Sequence, residues 1–357
     1  MRRAVELAQK GAGRTSPNPM VGAVVVKDGK TVGEGYHKKA GRPHAEIEAL
    51  KKAGRRARGA SLYLNLEPCC HYGRTPPCTD AILAAGIARV VVGMRDPNPL
   101  VAGKGIGILK KAGVRVETGV LRAECERLNE VFVKYIRSRT PFVILKAAIS
   151  LDGKIATAAG ESRWISGAAS RKIVHELRDG VDAVLAGAGT VLKDDPLLTT
   201  RLGRKKGKNP VRIVLDSHNR VPLNARVFYN AGTQRVIYVS TGQLPEERET
   251  ALRRMGVEIC SAAEKDGKVD LRQLLRRLGE MGLTSVLIEG GSEVNASALE
   301  ERIVDKIMLF AAPIVIGGRD APGAVGGKGI ESLRDAPSVK RLTVRRVGKD
   351  LLLEGYL

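Results

Sequence analysis

Two stretches decide the fold: PHAEIEAL (residues 43–50) and LEPCCHYGRTPPC (residues 66–78). Together they supply one imidazole and two thiolates, a ligand set that suits zinc: His44, Cys69 and Cys78. Three protein ligands leave the fourth tetrahedral position of the ion open for water, as in catalytic rather than structural zinc sites. Glu46 follows the imidazole by two residues, so its carboxylate is placed to move protons to and from that water. The pattern predicts a catalytic zinc site.

The second stretch departs from the usual spacing of zinc-dependent deaminases, H-x-E followed by P-C-x-x-C. The position three residues after Cys69 is Tyr72, and the second assigned cysteine, Cys78, comes nine residues after Cys69. The insert contains Gly73 and two prolines, which suit a turn that brings the two cysteines together. Cys70 and His71 lie in the same insert and compete as ligands, although adjacent residues rarely reach one metal.

A closed Cys3His zinc knot, or a cluster of buried thiols, is the structural alternative. A closed knot would leave Glu46 without a role, and such knots usually show two close ligand pairs. Here His44 stands alone before an apolar helical run. The open catalytic site is therefore the favoured interpretation.

Local patterns place these side chains at the ends of helices and strands. Residues 61–66 alternate and predict a strand, while residues 44–53 and 79–85 predict helices. Cys78 would lie at the N-terminus of the second helix, where the partial positive charge favours a thiolate. On the predicted helix 44–53, the side chains of His44 and Glu46 would lie about 200° apart around the helix axis. Both reach one metal only if the first turn of that helix points end-on at the site.

Composition sets the class of protein. The chain has 357 residues and 43% hydrophobic residues, which predicts about two domains with sizeable cores. No apolar run approaches about 18 residues, so no membrane span is expected. The start, MRRAVELAQKG, predicts an amphipathic helix rather than a signal peptide. Five cysteines, three of them assigned to metal, indicate a reducing compartment, the cytoplasm. Cys125 and Cys260 are interpreted as ordinary core or surface residues.

The chain is strongly basic, with a net charge of +22. Residues 1–140 carry 26 Lys/Arg against 12 Asp/Glu, a net of +14, and the remainder carries +8. Such a field attracts phosphorylated substrates or nucleic acid. Alternatively, the basic residues, such as those of the run 204–208, are solvent-exposed surface charges that bind no ligand. Aromatic residues make up only 3%, so base-stacking platforms are not evident.

The chain divides into two α/β halves. The first half ends in a predicted helical stretch over residues 122–139, and Thr140-Pro141 marks the boundary because proline ends a helix. We therefore expect domains 1–139 and 140–357. In the second half, strands are predicted at 142–150, 181–187, 211–216, 235–240, 285–291, 305–317 and 346–357, and helices at 170–180, 270–280 and 294–301.

Glycine pairs in these halves are weak signals for a nucleotide. Glu289-Gly290-Gly291-Ser292 follows a strand and opens a helix, so its amides could hold a phosphate. Gly187 and Gly189 lack the third glycine of a dinucleotide fingerprint, and residues 103–107 are weaker still. Each pair is also consistent with a plain turn, and the residues alone leave both interpretations open.

The first half resembles the cytidine-deaminase-like enzymes of riboflavin synthesis. The resemblance rests on TSPNPMVGAVVV (15–26), GYHKKAGRPHAEIEAL (35–50), LEPCCHYGRTPPC (66–78) and DPNPLVAGKGI (96–106). The second half resembles the reductase partner, which has a dihydrofolate-reductase-like fold. That resemblance rests on KAAISLDGKIAT (146–157), GESRWIS (160–166), LAGAGTVLKDDPLLTTR (185–201), RIVLDS (212–217) and LIEGGSEVNAS (287–297).

Together these resemblances span nearly the whole chain and imply a bifunctional deaminase/reductase of riboflavin biosynthesis. They imply an N-terminal three-layer deaminase domain followed by the reductase domain. Zinc-bound hydroxide would deaminate 2,5-diamino-6-ribosylamino-4(3H)-pyrimidinone 5′-phosphate, and NADPH would then reduce its ribosyl group to ribityl. They further imply a homo-oligomer that acts on a small phosphorylated pyrimidine, with no nucleic acid. The chain starts within what resembles the family's first helix, so we expect a few preceding residues to be absent.

The resemblance also assigns residues. In the first half it implies that His44, Cys69 and Cys78 hold zinc, that Glu46 moves protons and that Asn18 binds the pyrimidine. In the second half it implies cofactor contacts at Ala148, Trp164, Thr190, Asp194, Ser217, Gly291, Ser292, Glu293, Val294, Asn295, Ala296 and Ser297. It implies substrate contacts at Ser162, Arg178, Leu198, Arg201 and Glu289.

Several of these residues have a second interpretation without the resemblance. The guanidinium groups of Arg178 and Arg201 suit a phosphate, but either residue could be a surface charge. Trp164 alone would more often belong to a core. Asp194 could cap a turn before Pro196, and Asp152 could either form a turn or line the ribose pocket. The reductase half shows no obvious general acid.

Two other functions compete. A nucleic-acid base deaminase with an accessory α/β domain would fit the zinc motif and the basic first half. The long insert before Cys78, the scarcity of aromatic residues and the strings of the second half oppose it. A zinc scaffold without enzymatic activity is the third interpretation, in which Glu46 would have no chemical role.

Overall fold

A computed structural model describes residues 1–72, 76–203 and 207–357. The chain divides into two units, Met1–Arg139 and Thr140–Leu357. The predicted turn residue Gly73 and residues 204–206 of the basic run lie outside the described residues. Within those described ranges, no helix is both long enough and apolar enough to span a membrane.

The first unit alternates helices and strands. In chain order they are α1 (Arg2–Gln9), β1 (Gly22–Lys27), β2 (Lys30–Tyr36), α2 (Ala45–Ala53), β3 (Ser61–Leu66), α3 (Cys78–Ala84), β4 (Arg89–Met94), α4 (Lys104–Lys111), β5 (Arg115–Thr118), α5 (Arg122–Leu128) and α6 (Glu130–Ser138). The strands form a mixed sheet in the order β2-β1-β3-β4-β5. Strand β1 is antiparallel to both β2 and β3, whereas β3, β4 and β5 run parallel.

Helices cover both faces of this sheet. Ala23 and Val25 of β1 point into a core with α2, α3 and α4. Val24, between them, faces a second core that includes Ala4 and Leu7 of α1. This alternation is what a strand buried on both sides requires. The three-layer α/β architecture expected for the first half is confirmed.

Two glycines of β2 bring α2 directly onto the sheet. A Cβ at Gly33 would lie 2.2 Å from the carbonyl oxygen of Ala49, and a Cβ at Gly35 would lie 2.4 Å from that of Ala45. Any side chain at these positions would push the helix away, because atoms do not approach so closely. Since α2 begins directly after His44 and carries Glu46, this contact positions both residues.

The second unit is larger. Its elements are β6 (Phe142–Ile149), α7 (Ala168–Gly180), β7 (Ala183–Gly187), α8 (Ala188–Asp194), β8 (Val211–Leu215), β9 (Val236–Thr241), α9 (Glu246–Arg254), β10 (Glu258–Ala262), β11 (Glu264–Lys265), β12 (Lys268–Val269), α10 (Leu271–Glu280), β13 (Ser285–Ile288), α11 (Ser292–Glu300), β14 (Lys306–Ala311), β15 (Lys340–Val347) and β16 (Asp350–Tyr356). The main sheet has the order β10-β9-β8-β7-β13-β6-β14-β16-β15. It is parallel from β10 to β14, and β16 and β15 extend it in antiparallel fashion.

Cores lie on both faces of this sheet as well. Leucines of α10 pack on one face against β6, β7, β8 and β9. On the other face, Val191 of α8 and Leu252 of α9 join a second core. Cys260 belongs to the first of these cores, and Cys125 is buried in the first unit. Both cysteines are therefore core residues.

The structure corrects the prediction of one helical stretch over residues 122–139. The chain forms α5 and α6 instead, with a break at Asn129. The Asn129 side chain accepts a hydrogen bond from the Met20 amide (2.8 Å) and donates one to the Met20 carbonyl (3.0 Å). Asn129 leaves helical geometry at the break (φ −106°, ψ 21°), where its side chain is engaged in this tertiary pairing.

Helices α8 and α9 and strands β10 and β15 were not predicted. Seven of the eight residues of β15 are exposed, so its sequence carries no alternation of buried and exposed positions. Of the nine residues of α9, only Leu252 is buried. Elements with so little buried surface leave a weak signal in the sequence.

A buried carboxylate from the far end of the chain caps α7. Asp350 accepts hydrogen bonds from the Gly167 amide (2.7 Å) and the Ser170 hydroxyl (2.5 Å). The first amides of a helix lack partners within the helix, and negative charge stabilises that end. The C-terminal hairpin β15–β16 therefore helps to hold α7 in place.

We expect Asp350→Ala to loosen α7, because it removes this cap and leaves the amide of Gly167 unpaired. Hydrogen exchange of the amides of α7 should show a loss of protection of about 1–3 kcal/mol. The control is Asp335→Ala, which removes an exposed carboxylate and should leave exchange in α7 unchanged. Unchanged protection in Asp350→Ala would contradict the capping role.

Candidate active sites

The three predicted metal ligands converge. His44 directly precedes α2, Cys69 follows β3, and Cys78 is the first residue of α3. The Nδ1 atom of His44 lies 3.3 Å from the Cys78 sulfur and 3.5 Å from the Cys69 sulfur. All three donor atoms lie within 4.8 Å of one another. The structure thus brings together one nitrogen and two sulfurs from separate elements.

This donor set fits zinc, which is held in proteins by imidazole nitrogen and thiolate sulfur. Hydrogen bonds from Cys78 and His44 hold the pKa of the Cys69 thiol well below its usual range. The Cys78 amide also donates to the Cys69 sulfur at 3.3 Å. Cys69 is therefore prepared to be a thiolate, which is the form that binds metal.

Glu46 lies beside the three ligands with an unused oxygen. Its side chain is 3% exposed, and its Oε2 atom has no hydrogen-bond partner among the described residues. Burial raises the pKa of its carboxyl group. Glu46 and two of the ligands, His44 and Cys69, line the same cavity of about 490 Å³. A buried carboxyl group with a free oxygen and a raised pKa suits proton transfer.

Neither competing ligand joins the metal group within the part of the chain that the structure describes. The Cys70 sulfur instead contacts the Leu100 carbonyl at 3.8 Å. His71 lines the cavity, and its buried Nδ1 atom has no partner among the described residues.

Asn18 lines the same cavity and is oriented by a histidine that the sequence analysis did not single out. The Nδ1 atom of His37 lies 3.2 Å from the Pro43 carbonyl, which can only accept, so Nδ1 carries the proton. The Nε2 atom of His37 must then accept from the Asn18 amide nitrogen, at 3.1 Å. The Asn18 carbonyl oxygen is left for a ligand. His37 belongs to the quoted string 35–50, but its role depends on contacts between distant segments.

Two further buried groups shape this cavity. Asn65 accepts from the Gly22 amide (2.8 Å) and donates to the Met20 carbonyl (2.9 Å), which anchors the segment that carries Asn18. Glu67 accepts backbone hydrogen bonds from Asp96 (3.2 Å), Gly103 (3.0 Å) and Ile106 (3.1 Å). Within residues 103–107, the amides of Gly103 and Ile106 thus bind a protein carboxylate.

The second unit contains a cavity of about 450 Å³ lined by most of the predicted reductase residues. They are Ala148, Ser162, Trp164, Arg178, Thr190, Asp194, Leu198, Arg201, Glu289, Gly291 and Asn295. Six predicted cofactor residues do not line it: Ser217, Ser292, Glu293, Val294, Ala296 and Ser297. Val294 packs against the sheet core, and Glu293 pairs with Lys268 at 2.9 Å.

A cluster of buried charges lies in this cavity. Arg178 donates two hydrogen bonds to Glu289, of 2.6 and 3.0 Å, and one to the Thr199 carbonyl at 2.9 Å. Lys146 lies 3.7 Å from the same carboxylate, and burial lowers the pKa of its ammonium group. Lys146 was not among the predicted site residues, although it begins the string 146–157. Arg201 makes no ion pair among the described residues. Its guanidinium is therefore more available to a phosphate than that of Arg178, which is bound to Glu289.

The remaining alternatives are resolved by contacts. Trp164 is 68% exposed, with the Arg171 guanidinium 4.4 Å from its ring centre, so it is not a core residue. Asp194 accepts a hydrogen bond from Ser162 at 2.9 Å within the cavity. Asp152 does not line the cavity. It accepts from the amides of residues 316 and 317 (3.1 and 2.7 Å) and acts as a turn residue.

Comparisons with known proteins match the two parts of the chain to different families. Residues 141–353 match the RibD C-terminal domain, and residues 1–94 match the cytidine and deoxycytidylate deaminase zinc-binding region. The riboflavin biosynthesis protein RibD of Actinobacillus pleuropneumoniae is 44% identical over 354 residues, which cover 99% of this chain and 93% of that protein. The chain belongs to the RibD family.

Other RibD-family proteins are similar over nearly the whole chain. RibD of Escherichia coli K12 is 42% identical and covers 99% of this chain and 97% of its own. The structure of Acinetobacter baumannii RibD (form 1) superposes with a TM-score of 0.89 at 39% identity, covering 99% of this chain and 97% of that one. A diaminohydroxyphosphoribosylaminopyrimidine deaminase/5-amino-6-(5-phosphoribosylamino)uracil reductase from Thermotoga maritima has a TM-score of 0.87 at 41% identity, covering 100% and 97%.

The predicted family, fold class and bifunctional activity are confirmed. The protein is a RibD-type deaminase and reductase of riboflavin biosynthesis, with zinc and NADPH as cofactors. The alternative of a nucleic-acid base deaminase is not favoured, and a scaffold without activity does not agree with the family.

The metal group can be tested by ligand removal. We expect Cys69→Ser and Cys78→Ser each to lose stoichiometric zinc, because the remaining donors cannot hold the ion tightly. Metal content per chain, measured by plasma mass spectrometry on purified protein, is the readout. Cys70→Ser is the matched control, since its sulfur lies outside the group, and it should retain the ion. Loss of zinc in Cys70→Ser would overturn the ligand assignment.

Proposed function

We propose that the first unit deaminates the phosphorylated diaminopyrimidine ribotide for which the Thermotoga maritima relative is named, and that the second unit reduces its ribosyl group. The observation that carries this proposal is the free oxygen of the buried Glu46 carboxylate beside a three-donor metal group. That arrangement has a place for water and a group to accept its proton.

His44, Cys69 and Cys78 would hold the zinc ion, which supplies an activated water when bound. Glu46 would accept a proton from the water whose oxygen bonds to the ring carbon, and would pass it to the amine that leaves this carbon as ammonia. Because burial raises the pKa of Glu46, its protonated form is accessible during the reaction. The Asn18 carbonyl oxygen, freed by the contact with His37, accepts a hydrogen bond from the pyrimidine.

In the second unit the bound NADPH would supply hydride to the sugar carbon. Gly291, at the start of α11, and Thr190 lie on one wall of the cavity, and a Cβ at position 291 would lie 3.3 Å from the Thr190 hydroxyl. The missing side chain at 291 leaves room for a cofactor to approach the backbone. We retain Ser217 and residues 292–297 as predicted cofactor positions, of which Asn295 lines this cavity.

Reduction also requires a proton at the substrate. Lys146 and Glu289 are buried ionisable groups of this cavity, and they lie 3.7 Å apart. Burial lowers the pKa of Lys146, so it releases a proton more readily than an exposed lysine. We assign proton supply to Lys146, next to the ionised Glu289, with Arg178 holding Glu289 in position.

Glu46→Gln should lower ammonia release by about 10²–10⁴-fold, because the amide cannot carry the proton. Zinc content and NADPH oxidation on the deaminated intermediate should stay near wild type. Glu48→Gln, two residues further along α2 and partly exposed, is the control and should leave ammonia release unchanged. Equal loss of both activities in Glu46→Gln would argue against separate sites.

Glu289→Gln should show the opposite pattern. NADPH oxidation should fall by about 10²-fold or more, because Lys146 and Arg178 lose their ionised partner. Retained ammonia release would show that the chain is folded. Glu280→Gln changes an exposed carboxylate of the same unit and should affect neither activity. Normal NADPH oxidation in Glu289→Gln would remove Glu289 from the mechanism.

We further propose a cytoplasmic enzyme without a nucleic-acid partner. A His/Cys/Cys zinc group requires reduced thiols, which the cytoplasm maintains. The low aromatic content provides few platforms for stacking bases.

We also propose that two copies associate through β15, the last strand of the larger sheet. An edge strand offers unpaired backbone groups, and exposed apolar surface favours burial. Leu342 and Val344 of β15 are each 56% exposed. Sedimentation should give an oligomer for the wild type and smaller species for Leu342→Lys/Val344→Lys. Monomeric wild-type protein would refute this arrangement.

A further inference from the structure

Two arginines line the deaminase cavity on its open side. Arg42 lies two residues before His44, and Arg139 follows the last residue of α6. Both are exposed, yet both belong to the lining that also includes Glu46 and Asn18. The lining therefore combines metal ligands with two exposed guanidinium groups, and we call this exposed part of the lining the mouth.

Neither guanidinium forms an ion pair with a carboxylate in the described part of the chain. The other carboxylates of the lining are engaged elsewhere. Glu67 accepts three backbone hydrogen bonds, and Asp96 accepts one from the Asn98 amide at 2.8 Å. Burial also raises the pKa of Asp96 to about 6. The positive charge at the mouth is thus available to a ligand.

The walls between the mouth and the metal group are largely apolar. They include Phe132 and Ile136 of α6, together with Val101 and Leu66. Such walls suit the flat face of a pyrimidine, whose polar edge would reach Asn18. A cavity of about 490 Å³ is within the range of small-molecule sites, so it can hold more than the ring.

We propose that Arg42 and Arg139 form a phosphate subsite of the deaminase cavity, which binds the 5′-phosphate of the substrate while the ring lies at Glu46. This inference rests on the proposed function of the first unit. Guanidinium groups read phosphate oxygens with pairs of parallel hydrogen bonds, and exposure lets the phosphate remain partly hydrated. The deaminase would then select the phosphorylated ribotide by charge, separately from the reductase cavity.

The test compares two substrates, the phosphorylated ribotide and its dephosphorylated form, in ammonia release by the zinc-loaded full chain. For the ribotide, Arg42→Gln and Arg139→Gln should each lower kcat/KM about tenfold or more, mainly through KM. For the dephosphorylated form, each change should be under about twofold, since the lost contact is absent. Inorganic phosphate, as a competitive inhibitor, should bind more weakly to the double variant than to the wild type.

Lys39→Gln and Arg137→Gln are matched controls, because each removes one nearby exposed charge that does not line the cavity. They should leave the preference for the phosphorylated form unchanged. Equal losses on both substrates, equal losses in the controls, or no loss in either arginine variant would each overturn the subsite. Absence of ammonia release from the wild type would instead refute the proposed function of the first unit.

Discussion

The direct contact between α2 and β2 is the constraint on which the deaminase site depends. Gly33 and Gly35 let the helix backbone rest on the strand, and no side chain fits between them. This contact fixes the start of α2. His44 directly precedes the helix in an extended conformation, and Glu46 lies in its first turn. The segment after β3 and the start of α3 complete the site with Cys69 and Cys78.

The buried carboxylates of the two cavities have opposite surroundings. In the first, Glu46 keeps a free oxygen, while the Asn18 amide nitrogen and the His37 ring pair with each other. In the second, Glu289 is held by Arg178 and lies near Lys146. Burying an unpaired charge costs free energy, so burial raises the pKa of Glu46. Glu289 has two cationic neighbours, Arg178 and Lys146, which hold its pKa below the usual value. The first group is poised to gain a proton, and the second to stay ionised.

Sequence patterns predicted the elements that bury a regular stripe of apolar residues, such as β3, α2 and α10. They failed where burial was slight, as in α9 and β15, or where one distant contact changed the backbone, as at Asn129. Site residues follow the same division. The three candidate metal ligands could be predicted because zinc chemistry requires particular residue types in a recognisable pattern. Lys146 and His37 were missed because each acts through a partner far away in the chain.

The sequence by itself determined the donor set of the metal group, the position of Glu46 and the division into two α/β halves. These features follow from residue identity and from local periodicity, which do not require knowledge of the packing. Only the tertiary structure decided that Cys70 lies outside the metal group, that Asn129 breaks a helix, that Asp350 caps α7 and that Arg42 and Arg139 share one cavity. Each of these depends on distances between segments remote in the chain, which are set by how the helices and sheets pack rather than by any local pattern.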